Sequence, residues 1–334
     1  MRVHITNLYG QASTSVALIA QNMVAKIAKE LGYYEIGIYS YPIHVDSPSE
    51  LAKRLDGMLA AVGNDDIVII QSPSWNTTEF DSKFVDRLRL YSNLKIAIFI
   101  HDIVPLMFVP NEYLIEETIA IYNKADLLIV PSQSMLDELR RRGLRVEKII
   151  IQGMWDHPTS LNLPEPSISS NIQFAGSPSR FRFIDNWTYP NKLLVYSDGE
   201  MSLDKNIEYL GWKDNVDLLQ NLSQRGGFGL VWSEPGGVDG KYYEMNVSYK
   251  LSTYLVAGLP VIVQDTLSNH SIIAKNGLGL VVSSLEEANE RLQSLTTDDY
   301  KLFVQNVKKF RELLINGYFT KKLLIDSVFQ LLQE

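Results

Sequence analysis

The sequence predicts an α/β protein built from two Rossmann-like domains that face a central cleft. Three observations carry that reading. Short apolar runs alternate with segments of helical period along most of the 334 residues, the pattern of a parallel sheet covered by helices. The alternation lapses once, in WDHPTSLNLPEPSISS, where Pro158, Pro164 and Pro166 suit a linker better than an element interior. It then restarts with a second set of strands.

In the first half the runs Val3–Thr6, Ile36–Tyr39, Ile67–Ile70, Ile96–Ile100, Leu127–Val130 and Ile149–Ile151 read as strands. The helix after the first is the clearest. Val16, Ala20, Met23, Val24, Ile27 and Leu31 form one stripe, and Gly32 supplies the stop. In the second half the strands are Ile172–Phe174, Leu193–Tyr196, Ile207–Leu210, Phe228–Trp232, Val261–Val263 and Leu278–Val282. Helical patterns alone follow, around Leu285–Leu295, Tyr300–Leu314 and Lys321–Leu332. The expected division is an N-terminal domain over 1–155, a linker over 156–170, a second domain over 171–316 and a last helix over 317–334.

Composition narrows the function. A net charge of -8 argues against a surface that tracks nucleic-acid phosphates. With no cysteine, disulfides, thiolate metal sites and a cysteine nucleophile are excluded. The start of the chain lacks a signal-peptide core and no apolar run approaches a membrane span. A cytoplasmic protein without stable membrane insertion is expected.

Ligands of open α/β sheets sit beyond the carboxyl ends of the strands, so the loops there matter most. After the first strand come Gly10 and the hydroxyls Ser13, Thr14 and Ser15, at least one of which is a natural helix cap. After the fourth come His101 and Asp102, either an acid/base pair or a structural histidine beside a turn-capping aspartate. After the first strand of the second half, Gly176 lets backbone approach a ligand and Arg180 can clamp a phosphate or simply be solvated.

The stretch Gly229–Val263 is the most informative. It reads as a buried strand, a glycine-rich loop, a short helix and a second strand. Lys250 lies in the first turn of that helix, where a cation opposes the positive pole of the macrodipole. An anion such as a diphosphate turns the conflict into an attraction. A solvated surface lysine is the plain alternative. Asn246 or Ser248 can cap the helix, Asn246 and Tyr249 stand beside Lys250 at its start, and Val247, Leu251, Tyr254 and Leu255 are its core face.

Other motifs are missing. The loop from Pro235 to Lys241 imitates a P-loop, but its first glycine is misplaced and Tyr242 stands where Ser or Thr is needed. There is no G-x-G-x-x-G dinucleotide fingerprint, no G-x-S-x-G elbow, no D-x-D pair and no metal-ligand spacing among the five histidines. No cofactor and no metal are expected.

ADLLIVPS (Ala125–Ser132) and KLSTYLVAGLPVIV (Lys250–Val263) resemble segments of GT-B glycosyltransferases. HDIVPLMF, FAGSPSRF, YLGW and NVSYKLSTYLVAGLPVIV are, together, similar to the accessory glucosyltransferases of streptococcal serine-rich-repeat adhesin glycosylation. That group is related to proteins labelled β-1,6-galactofuranosyltransferases. The resemblance implies a GT-B fold whose final helix crosses back to an acceptor-side N-terminal domain. It implies a UDP-sugar, UDP-glucose, as donor, and a GlcNAc-modified Ser or Thr of the adhesin as acceptor. Carried over by position, Arg180 and Lys250 meet the diphosphate with Asn246 and Tyr249 beside them, Trp232-Ser233 lies near the uridine, and the loop around Thr14 and Ser15 faces sugar and acceptor. One departure stands out: the E-x7-E pair of many retaining relatives is absent, Glu234 and Glu244 having nine residues between them.

The expected reaction is glucosyl transfer through an oxocarbenium-like transition state, with UDP leaving against Lys250, Arg180 and the helix N-terminus. If it inverts, Asp102 or His101 takes the acceptor proton. The rivals are a UDP-galactofuranose-dependent transferase acting on a polysaccharide, and a catalytically silent GT-B partner protein. The apolar faces of the C-terminal helices suit either internal packing or a homo-oligomer, of which a tetramer is one form.

Overall fold

The computed structural model describes residues 1–12, 15–198, 206–234 and 238–333. They form two compact units, Met1–Gln152 with Phe319–Glu334, and Gly153–Tyr318. Every strand pairing among the described residues is parallel.

The first unit runs β1 (Val3–Tyr9), α1 (Val16–Glu30), β2 (Tyr34–Tyr39), α2 (Pro48–Met58), β3 (Ile67–Ser72), α3 (Thr78–Leu88), β4 (Lys95–Ile100), α4 (Val104–Met107), α5 (Ile115–Tyr122), β5 (Leu127–Val130), α6 (Gln133–Arg141) and β6 (Lys148–Ile151). Its sheet order is β2-β1-β3-β4-β5-β6. The central strands β3 and β5 are buried at every residue, as near-continuous aliphatic runs demand when helices cover both faces. β2, at the edge, alternates buried Ile36 and Ile38 with exposed neighbours.

The second unit runs β7 (Ile172–Phe174), β8 (Leu193–Val195), β9 (Ile207–Tyr209), α7 (Asn215–Arg225), β10 (Phe228–Val231), α8 (Val238–Met245), α9 (Tyr249–Val256), β11 (Val261–Gln264), α10 (His270–Asn276), β12 (Gly279–Val282), α11 (Leu285–Ser294) and α12 (Thr297–Ile315). Its order is β12-β11-β10-β7-β8-β9, so the winding reverses between β7 and β10. A crevice opens at such a reversal, because the loops after the two strands leave in opposite directions. α9 packs closely on β10 because Gly229 has no side chain; a Cβ there would lie 2.3 Å from the Tyr254 ring.

The last helix, α13 (Tyr318–Leu332), belongs to the first unit from Phe319 onwards. Tyr33 donates its hydroxyl to Leu324 O at 3.1 Å, the Lys148 ammonium donates to Gln330 O at 2.7 Å, and Lys321 pairs with Glu30 at 2.9 Å. Among the described residues no helix is long and apolar enough to cross a membrane.

Residues 153–170 differ from the expected linker. They have no helix or strand, as their prolines dictate, yet they belong to the second unit. Trp155 donates its indole N–H to Val247 O at 3.0 Å, and the Ser252 hydroxyl donates to Trp155 O at 2.6 Å. Asp156 and His157 are buried beside it. Proline content forecast the irregular backbone and not the aromatic anchor within it.

Asp66, just before β3, ties the start of the first sheet together. It accepts from Arg2 N–H at 2.6 Å and Gly63 N–H at 2.9 Å, and lies 3.0 Å from His4 Nε2. Burial pushes its carboxyl up, but these hydrogen bonds outweigh burial and hold it down at about 2. A folded-state value below the unfolded one stabilises above about pH 4, and the effect is lost as pH falls through about 2. Asp66→Asn is therefore expected to cost about 2 kcal/mol at pH 7. Thermal melts of both proteins from pH 7 down to 2 check this: the gap should narrow with acid, and a constant gap contradicts it.

Candidate functional site

The reversal of the second sheet brings together the loop after β7 and the N-terminus of α9. The loop is pinned to the helix by Ala175 N–H, which donates to the Tyr254 hydroxyl at 2.8 Å. Phe174, Phe181 and Tyr243 form an aromatic wall there. The Lys250 ammonium lies over it, 4.6 Å from the Phe181 ring centre and 5.9 Å from those of Phe174 and Tyr243. The Arg180 guanidinium lies 5.5 Å from the same Phe181 ring.

Two cations thus lie near one ring. Burial, and then the nearby Arg180 charge, push the Lys250 ammonium down to about 8. Among the described residues no carboxylate pairs with Lys250. The rings return part of the cost as cation–π attraction. Ser248 is the N-cap of α9 without a side-chain cap bond, its hydroxyl lying 3.1 Å from the Tyr243 hydroxyl instead. An open helix start, a desolvated ammonium and a guanidinium near one ring are the chemistry that could hold an anion.

The other expected site residues fall differently. Asn246 builds the turn between α8 and α9: its amide donates to the Tyr242 hydroxyl at 3.2 Å and its Oδ1 accepts from Val247 N–H at 2.8 Å. Tyr249 turns towards the 153–170 segment. It stacks on His157 with ring centres 5.2 Å apart, and burial pushes its hydroxyl up. It is a packing residue. Gly176 is required by its neighbours, since a Cβ would lie 2.6 Å from the Phe174 ring and 3.0 Å from that of Phe181. Ser233 follows β10, buried, and its N–H donates to Gln264 Oε1 at 3.1 Å.

In the first unit, Ser15 caps α1, accepting from Leu18 N–H at 3.4 Å and donating to Gln11 Oε1 at 3.0 Å. Thr14 lies outside the described residues. His101 and Asp102 part company, as successive residues at a strand end point to opposite sides. His101 is 3% exposed, packs on Phe99 with ring centres 4.6 Å apart, and is pushed by burial down to about 3. A histidine so buried and so weakly basic would be a poor proton acceptor near neutral pH, which favours Asp102 of the two expected bases. Asp102 instead lines a cavity of the first unit. The aromatic wall and that cavity were missed in the sequence. FAGSPSRF held two of the three rings, and the turn-forming run SPSWNTT after β3 was the available signal for the cavity.

Two parallel six-stranded α/β units are the architecture of GT-B glycosyltransferases. Anabaena Alr3699/HepE, solved in complex with UDP and glucose, superposes with a TM-score of 0.64 at 12% identity, covering 98% of this chain and 99% of that one. The family described as Glucosyltransferase 3-like matches with its N-terminal domain over residues 2–154 and its C-terminal domain over 172–327. The chain is 49% identical to Glucosyltransferase 3 of Streptococcus gordonii, over 99% of this chain and 100% of that protein. It is 47% identical to Glucosyltransferase 3 of Streptococcus parasanguinis, over 99% of both. The chain belongs to the Glucosyltransferase 3-like family and is a hexosyltransferase.

A lysine whose folded-state value lies below its unfolded one costs stability while charged, below about pH 8, and the cost disappears as pH rises through about 10.5. Lys250→Met is therefore expected to stabilise the free protein at pH 7 by about 1–3 kcal/mol, several degrees in Tm. Calorimetry checks it, and a lower Tm for the variant contradicts a strained lysine.

Proposed function

We propose that the chain transfers glucose from UDP-glucose to N-acetylglucosamine carried on serine or threonine of a serine-rich-repeat adhesin. The observation that carries the reading is the pair Lys250 and Arg180 over one aromatic wall beside the open N-terminus of α9. Their free-state repulsion is relieved by a ligand with two or more negative charges, which the diphosphate of a UDP-sugar supplies. The Streptococcus relatives are glucosyltransferases by name, which favours glucose over galactofuranose and an enzyme over a silent partner.

The bond from the anomeric carbon to the β-phosphate oxygen breaks as the acceptor hydroxyl bonds to that carbon. Charge grows on the departing UDP oxygen, and preformed cations and helix N–H groups stabilise it more than they stabilise the bound donor. Two cations and a helix start supply the charge that a metal ion supplies elsewhere, so the reaction is read as metal-independent. In an inverting reaction Asp102 takes the acceptor proton; its place in the cavity wall of the first unit supports that role.

Lys250→Ala and Arg180→Ala are each expected to lower UDP-glucose turnover by about a hundredfold or more. UDP release assayed across UDP-glucose, UDP-galactose and UDP-galactofuranose checks both residues and donor. Turnover near that of the unaltered protein in Lys250→Ala sinks the assignment of Lys250, and preference for another donor sinks that of glucose. Because UDP selects the charged lysine, its affinity should fall as pH rises above about 8. The fall should be absent in Lys250→Arg, whose guanidinium does not deprotonate in that range.

A further inference from the structure

A buried phenol stands where β7 and β10 part company. β7 pairs with β8 as far as Phe174 beside Val195, but with β10 only as far as Gln173 beside Gly229. Successive residues of a parallel strand turn their hydrogen-bonding groups to alternate neighbours. Phe174 O accepts from Tyr196 N–H on the β8 side at 2.9 Å, and Asn171 O accepts from Phe228 N–H on the β10 side at 2.9 Å. Ala175 therefore turns its N–H to the β10 side, past the last partner that β10 offers. The reversal that opens the crevice thus removes that donor's place in the sheet.

A backbone donor left unmet inside a protein is costly. Tyr254, 0% exposed on α9, meets it: its hydroxyl accepts from Ala175 N–H at 2.8 Å. Its ring lies against Gly229 of β10, where a Cβ would come within 2.3 Å of it. Phenylalanine would serve the ring's packing equally well. The buried hydroxyl is explained only by the donor it meets.

That one side chain reaches both cations. Tyr254 stands one helical turn after Lys250 on α9. On the other side, Arg180 N–H and Phe181 N–H donate to Ser177 O at 3.1 and 3.0 Å, so the loop beyond Ala175 is a tight turn. Phe181 packs edge-on against Phe174 with ring centres 5.0 Å apart. A displacement of Ala175 is passed through this turn to Arg180 and to the ring beneath Lys250.

We infer that Tyr254 is a positioning residue: its hydroxyl sets the Arg180 loop against Lys250, so that both cations meet one diphosphate. The inference rests on the reading of the chain as a UDP-glucose-dependent transferase and adds what holds its two cations in register. Tyr254→Phe keeps the ring against Gly229 and removes the acceptor. A misplacement of about 1 Å costs up to about a hundredfold in rate, and the retained ring packing limits the loss here to about tenfold.

The test is a double-mutant cycle between Tyr254→Phe and Arg180→Ala in the full chain, read well below the melting temperature of every variant. Alone, Tyr254→Phe is expected to lower kcat for UDP-glucose about tenfold and to raise the Kd for UDP about fivefold. On Arg180→Ala it is expected to change either quantity less than about twofold, because no guanidinium is left to misplace. A merely structural hydroxyl would cost the same in both backgrounds. Equal losses in the two backgrounds therefore overturn the inference, as does no loss from Tyr254→Phe alone. If the unaltered protein releases no UDP from UDP-glucose, the donor reading fails by itself. The cycle on UDP binding, followed by titration calorimetry, then still decides the placement of Arg180: a loss confined to the Arg180 background supports it, and equal losses or no UDP binding overturn it.

Discussion

The second unit is arranged around a repulsion. Lys250 and Arg180 approach the same Phe181 ring; Arg180 is exposed, while burial strips water from the Lys250 ammonium and makes its charge costly. Left alone, this arrangement destabilises the fold, so its neighbours must hold it in place. Gly229 lets α9 close on β10, Tyr254 accepts from Ala175 N–H, and Gly176 leaves room for the rings that carry the lysine. Each contact is an ordinary core interaction. Together they keep positive charge where a diphosphate would be held.

The first unit follows the same physical logic with opposite chemistry. Its sheet also reverses beside its first strand, and the loop beyond β3 is again where local rules are broken. There the conflict is a left-handed tryptophan, Trp75, with unmet donors and one desolvated carboxyl, Asp81. One unit presents cations beside an open helix start, the other a cavity whose wall carries carboxylates together with Lys83 and Arg87.

Much of the fold was legible because its strands are buried on both faces and so read as aliphatic runs, as Ile67–Ile70 and Leu127–Val130 do. The lysine was legible too, since a cation in the first turn of a helix breaks a local rule. Contacts between distant positions were not. Nothing near Tyr249 announced that it would stack on His157 rather than face a ligand. Nothing in the pair His101-Asp102 said which would turn into the core. Helix α8 escaped because Gly240 and the polar residues around it read as loop.

The central claim is that a diphosphate relieves the strain on Lys250. Proton uptake on UDP binding tests this most directly, measured by titration calorimetry at pH 8 in buffers of differing ionisation enthalpy. A lysine that titrates near 8 when free and stays charged when bound should draw in about half a proton per UDP. Lys250→Arg should draw in none. Equal uptake by the two proteins, or none in either, would contradict the account.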